Sequence, residues 1–133
     1  MSTKKPAQKI LRIGLFQSGE FIEERLIHSR GAVTVGQDFK KNTFIVPASS
    51  LPRTMTVFEA RDGRYVLLFD KDAAVKLSGA GGSKNTSELV QSGTAKKGAS
   101  GYEVPLTEAS YGRVAWGSGN DEVALLFQFV TPP

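Results

Sequence analysis

The chain is written in short apolar runs, each closed by a turn signal after roughly 8 to 12 residues, and that spacing admits few folds other than an all-β sandwich or barrel. Ile10, Leu11, Ile13, Leu15 and Phe16 form the first run, which ends at Ser18-Gly19. Phe21, Ile22, Leu26 and Ile27 bound a second run, interrupted by Glu23, Glu24 and Arg25. Glu20 to Leu26 also admits a helical reading, but Gly19 and Gly31 leave little more than a helix's minimum length. Val33 and Val35 alternate up to Gly36, Thr43 to Val46 is cut off by Pro47, and Thr56 to Phe58 follows. Asp62-Gly63 then leads into Tyr65 to Phe69 as the strongest hairpin signal of the chain. Tyr102 to Leu106, Tyr111 to Trp116 and Val123 to Val130 resume the rhythm, the last two joined by a Gly117 to Asp121 turn.

In the last run Leu125, Phe127 and Phe129 point one way and Leu126, Gln128 and Val130 the other, so both faces are largely apolar and the strand is expected in the middle of a sheet. Between Ser78 and Gly101 the text turns to Gly, Ser, Lys and Ala, with Leu89 and Val90 as its large apolar residues. Within it Gly79 to Lys84 reads as a flexible hairpin loop, and Leu89 and Val90 pin a short turn of helix or strand. No helical pattern of about ten residues and no internal repeat appears. The expected fold is a β-sandwich of about ten to eleven short strands over residues 9–131. Residues 1–8 are expected to be a mobile arm, and Pro132-Pro133 to open a proline-rich linker.

Composition narrows the chemistry. With 133 residues, 40% of them hydrophobic and 23% charged, the chain suits one globular core. It has no cysteine and a single histidine, His28, so thiolate and multi-imidazole metal sites are ruled out. No apolar run reaches the ~18 residues of a membrane span, and no secretory leader pattern follows the basic N-terminus, which suggests a cytoplasmic location.

The residues offer no nucleophile elbow around Ser49-Ser50, and Gly79 to Lys84 lacks the phosphate-loop spacing. Glu23 and Glu24, adjacent on a strand, point to opposite faces and cannot share a site. The expectation is a non-enzymatic protein without cofactor. The net charge of +4 comes largely as the pairs Lys4-Lys5, Lys40-Lys41 and Lys96-Lys97. These runs are too short for a nucleic-acid tail, and no nucleic-acid partner is expected. A basic surface for acidic lipid or nucleic acid is the competing reading, and homotypic pairing of an exposed edge strand is a third.

Two loops supply binding groups: Gln37 to Asn42, with Lys40, Lys41 and Asn42, and Pro47 to Arg53, with Ser49, Ser50 and Arg53. Cations, hydroxyls and an amide together suit an anionic oxygen such as a phosphate. The alternative is that these residue types fill ordinary solvent-exposed turns.

Val33-Thr34-Val35-Gly36-Gln37, then Asn42-Thr43-Phe44-Ile45-Val46-Pro47, Leu51-Pro52-Arg53, Thr56-Val57-Phe58-Glu59 and Asp62-Gly63-Arg64-Tyr65, resemble the forkhead-associated (FHA) domain. That family has a strand ending in Ile-Gly-Arg, a polar loop, a short strand, a Ser-x-x-His segment and another strand. The resemblance implies an FHA-like β-sandwich that binds another protein, in the family through phosphothreonine peptides held by apical loops. A narrower resemblance, carried by Leu51-Pro52, Leu67-Leu68-Phe69, Arg113-Val114 and Leu126-Phe127-Gln128-Phe129-Val130, is to FHA-like N-terminal domains of myxobacterial adventurous gliding-motility proteins, AgmX-type and TonB-like components among them. It implies a cytoplasmic module of a larger envelope machine, with the membrane tether elsewhere in a longer chain and no membrane contact by this domain.

The departures bear on the pocket. Gln37 stands where the family has arginine, and Arg53 stands where it has histidine if Ser50 is its serine. The asparagine expected after the strand ending near Asp70 gives way to Lys71, Asp72 and Ala73. The implied site is a degenerate phosphothreonine pocket made of Gln37, Lys40, Lys41, Asn42, Ser49, Ser50 and Arg53; the alternative is a working phosphothreonine reader in which Ser50 and Arg53 hold the phosphate and Lys40 or Lys41 replaces the lost charge.

Overall fold

The computed structural model describes residues 9–28, 31–79, 81–99 and 101–132; the expected arm at 1–8 and Pro133 lie outside them. The strands are β1 (Ile10–Gln17), β2 (Glu20–Ile27), β3 (Ala32–Gly36), β4 (Phe44–Ile45), β5 (Met55–Arg61) and β6 (Arg64–Phe69). They continue as β7 (Ala74–Gly79), β8 (Gly82–Asn85), β9 (Lys96–Gly98), β10 (Gly101–Pro105), β11 (Tyr111–Trp116) and β12 (Val123–Val130), with a short α-helix, α1 (Thr86–Gln91), and a 3-10 turn at Gly119–Asp121 among the described residues. Two six-stranded sheets result, one ordered β2-β1-β12-β11-β7-β8 and the other β4-β3-β5-β6-β10-β9. All the pairings are antiparallel except β3 with β4. The chain is an all-β sandwich.

The alternation read from the sequence builds this core. Leu11, Ile13 and Leu15 of β1 and Leu125 and Phe127 of β12 face inward from the first sheet. Val33, Val35, Phe58 and Leu67 meet them from the second. Phe58 and Phe127 touch edge-to-face across the layers with ring centroids 5.1 Å apart. The β1–β2 and β5–β6 hairpin turns have positive φ at each central residue, 53° and 81° at Ser18-Gly19 and 51° and 79° at Asp62-Gly63, which matches the twist of the strands they join. The last strand is hydrogen-bonded on both sides, to β1 and β11. Its outward face is nonetheless open to solvent at Leu126.

Two readings of the sequence are made definite. Glu20 to Leu26 is a strand of the first sheet, its side of the hairpin fixed by register with β1, and not a helix. Between Ser78 and Gly101 the described residues form β8, α1 and β9: the hairpin read at Gly79 to Lys84 is the β7–β8 pair, and the turn pinned by Leu89 is helical. The β7–β8 hairpin turns there, and Asn85 caps α1 by accepting from the Glu88 N–H at 2.9 Å while the Glu88 carboxylate accepts from the Asn85 N–H at 3.1 Å. Leu89 is the buried anchor of that helix.

Strand direction brings one set of loops to one end of the sandwich. The β1–β2 turn, the 37–54 segment, the 70–73 turn and the 117–122 turn all meet there, because β1, β3, β6 and β11 end where β12, β5, β10 and β7 begin. Both candidate loops belong to this end.

Candidate functional site

The 37–54 segment is held in place by its own polar side chains. β3 ends at Gly36, where the backbone runs against the other limb of the loop: a Cβ there would lie 2.3 Å from the Arg53 carbonyl oxygen and 2.7 Å from the Thr54 Cα. Glycine permits that approach. Beyond it the Gln37 N–H donates to the Pro52 carbonyl at 3.1 Å and the Asp38 N–H to the Arg53 carbonyl at 2.9 Å, extending the ladder past the strand. β4 pairs in parallel with β3, and the Val46 N–H closes the arrangement on the Gly36 carbonyl at 2.9 Å. Val46, Ala48 and Leu51 are buried beneath the second loop, which fixes it from below.

Of the seven residues marked by the sequence, three have their side chains engaged on the main chain or a neighbour. Gln37 donates through Nε2 to the Leu51 carbonyl at 2.7 Å. Asn42 donates through Nδ2 to the carbonyls of Asp38 at 2.7 Å and Arg53 at 2.9 Å, and its Oδ1 accepts from the Thr54 hydroxyl at 2.7 Å. Ser50 donates to the Asp121 carbonyl at 2.6 Å, tying this loop to the β11–β12 turn of the other sheet. These groups lock two loops and two sheets together.

The other four point to solvent. Lys40, Lys41, Ser49 and Arg53 are exposed, and the three cations enter no salt bridge among the described residues. The Lys40 N–H donates to Asp38 Oδ1 at 2.9 Å in a side-chain turn, and its ammonium sits 5.8 Å from the centre of the Phe39 ring. Phe39 itself is 72% exposed, the most exposed large apolar residue described. In the turn after β6, Asp70 Oδ1 accepts from the N–H groups of Asp72 and Ala73, both at 3.0 Å, so that turn is closed by its own side chain.

Sequence reasoning missed Thr54 and left Phe39 out of the site. Thr54 could have been noticed as a hydroxyl flanking Arg53, but its link to Asn42 depends on the fold. Phe39 breaks the polar run of its loop, and that was the available signal. A groove of about 520 Å³ starts beside Thr54 and Met55, passes Trp116, and reaches Arg61 and Glu103 on the outer face of the second sheet. There the Arg61 guanidinium forks onto Glu103 at 2.8 and 3.0 Å and touches Glu59 at 3.2 Å. The fork from Arg61 holds the Glu103 carboxyl below the usual range and holds the Arg61 guanidinium all the more firmly charged.

His28 is exposed just beyond β2, and Glu23 and Glu24 stand on opposite faces of that strand. Among the described residues no helix is long and apolar enough to cross a membrane. No protein-family model matches this chain, and no curated protein is detectably similar to it.

Proposed function

We propose that this domain is a non-catalytic protein-binding module, FHA-like in construction, whose phosphothreonine pocket is degenerate and whose apical loops recruit a partner without requiring phosphate. One observation carries this reading: Gln37, Asn42 and Ser50, three of the four uncharged polar side chains of the implied pocket, are occupied with main-chain carbonyls of this end of the sandwich. The order of parts supports the FHA-like half of it. A strand ending in Gly36, a polar loop, the two-residue β4, a Ser50-to-Arg53 segment and β5 follow one another at one end of a sandwich.

Pinned loops lose little conformational entropy on binding, which favours a preorganised contact surface. Phe39 supplies an apolar anchor at its tip, and Lys40, Lys41 and Arg53 supply uncommitted charge suited to an acidic patch on the partner. The narrower resemblance extends the proposal to a cytoplasmic module of a gliding-motility or TonB-like envelope machine.

The test is an NMR titration of the labelled domain with a degenerate phosphothreonine peptide library and its unphosphorylated twin. Equal shifts from both libraries in 37–42 and 49–53 fit the proposal. Shifts that appear with the phosphorylated library alone would make the domain a working phosphothreonine reader and overturn the degenerate-pocket half.

A further inference from the structure

The first sheet ends in an open strand whose composition is matched to itself. β2 is an edge, eight residues long, with no strand beyond it among the described residues. Such an edge presents unpaired main-chain N–H and C=O groups to any extended segment that fits. A register shift between Leu15 and Phe16 leaves Phe21 and Ile22 together opposite Phe16, a bulge on β2 that turns both side chains to the outer face. That face collects five of the seven exposed large apolar residues, Phe21, Ile22, Leu26, Tyr111 and Leu126, the other two being Phe39 and Ile45. Beside Gly14, which has no side chain to fill the space, lies a dent of about 320 Å³ between Phe16, Phe21 and Leu126.

Charges in the middle of an edge strand ordinarily keep chains apart. Here their order does the reverse for one partner. Two copies joined edge to edge in antiparallel fashion are related by a two-fold axis along the sheet normal, so opposed residues must share a face. Centring the axis on Glu23 sets Ile22 against Glu24, and centring it on Arg25 sets Glu24 against Leu26. Centring it on Glu24 sets Glu23 against Arg25 twice and Ile22 against Leu26 twice. The remaining like pair, Glu24 with its own copy, is countered by Arg12 of β1, 2.7 Å from each Glu24 carboxylate. Within one chain Glu23 and Arg25 already approach to 3.5 Å, so the exchange between chains replaces the loose pair of each copy by a directly opposed one.

We propose that β2 is a homotypic interface: two copies pair antiparallel through β2, centred on Glu24, and join their first sheets into one continuous sheet with a shared apolar outer face. The apical loops lie at the strand ends and stay free for the partner argued above, so the two proposals stand separately.

Sedimentation of the wild-type chain over a concentration series should show a monomer–dimer equilibrium. Glu23→Arg and Arg25→Glu should each weaken dimerisation about tenfold or more when alone, since each sets like charges opposite twice. An equimolar mixture of the two should dimerise again, because their opposed residues are then complementary. Arg25 also packs 5.7 Å over the Phe44 ring, so circular dichroism accompanies each variant. A cross-link keeps the test sharp where Arg25→Glu unfolds: the chain has no cysteine, and Glu24→Cys should oxidise to a disulfide dimer faster than Glu23→Cys. A wild-type monomer at every concentration, single variants that dimerise unchanged, or equal cross-linking at both positions would overturn the proposal.

Discussion

Replacing Gly36 by alanine tests whether the two candidate loops are held together by backbone contact. The new methyl would lie 2.3 Å from the Arg53 carbonyl oxygen and 2.7 Å from the Thr54 Cα, both main-chain atoms that cannot rotate away. To reach ordinary contact the 53–54 backbone must retreat by about 1 Å, which stretches the bonds from Gln37 and Asp38 to Pro52 and Arg53. Overpacking of this kind costs about 1–3 kcal/mol, and each weakened hydrogen bond adds up to about 1 kcal/mol. A total of about 3 kcal/mol, divided by an unfolding entropy of about 0.28 kcal/mol/K for 133 residues, lowers Tm by about 10 °C. Calorimetry reads the shift, and hydrogen exchange at the Gln37 and Asp38 amides reads its location. A variant with unchanged Tm and unchanged protection at those two amides would refute the reasoning, since the backbone could then part without loss.

Three further outcomes follow from the same geometry. Asn42→Ala should cost about 1–2 kcal/mol in urea unfolding, and Asn42→Asp more at neutral pH, because a carboxylate would face the two carbonyls that the amide now bonds; acidification through the carboxyl range should relieve the excess. Glu103 titrates below its ordinary range when folded, so its pair with Arg61 adds stability that is complete above the unfolded carboxyl pKa and disappears as pH falls through the folded one. Glu103→Gln should therefore be less stable than wild type at neutral pH, with the gap closing toward acid in urea midpoints measured against pH. Gln37→Arg restores the charge the FHA resemblance expects and should raise affinity for phosphothreonine peptides about 10- to 100-fold in fluorescence anisotropy, leaving the unphosphorylated twin unchanged; no gain would argue against an FHA-type arrangement of these loops.

The sandwich was legible because its inner strands carry their burial as alternation. Leu11, Ile13 and Leu15, or Leu125 and Phe127, can face only one way once the strand forms. The edges were not legible for the same reason in reverse. β8 reads Gly-Ser-Lys-Asn, has no apolar residue to alternate, and is a strand because β7 lies beside it. Its neighbour α1 did leave a signal, Asn85 three residues before Glu88 and just ahead of Leu89, which is a helix start even inside a polar stretch. Phe21 and Ile22 show a third limit: strict alternation sends them to opposite faces, and the bulge that reunites them is set by pairing with β1.

At the loops the residue types were legible and their roles were not. An amide such as Gln37 or Asn42 looks the same in sequence whether it faces a ligand or a carbonyl of its own chain. What decides between the two is the crossing of the 37–42 and 50–54 segments beside Gly36, a contact between backbones.

The side-chain amide protons of Gln37 and Asn42 test the central claim most directly, followed by NMR while phosphothreonine is added to the wild-type domain. If these side chains belong to the loops, their resonances stay resolved, protected from exchange and unmoved by phosphothreonine. Resonances that shift and saturate with the phosphoamino acid would show that the amides leave the carbonyls of Leu51, Asp38 and Arg53 for a phosphate, and would contradict the account.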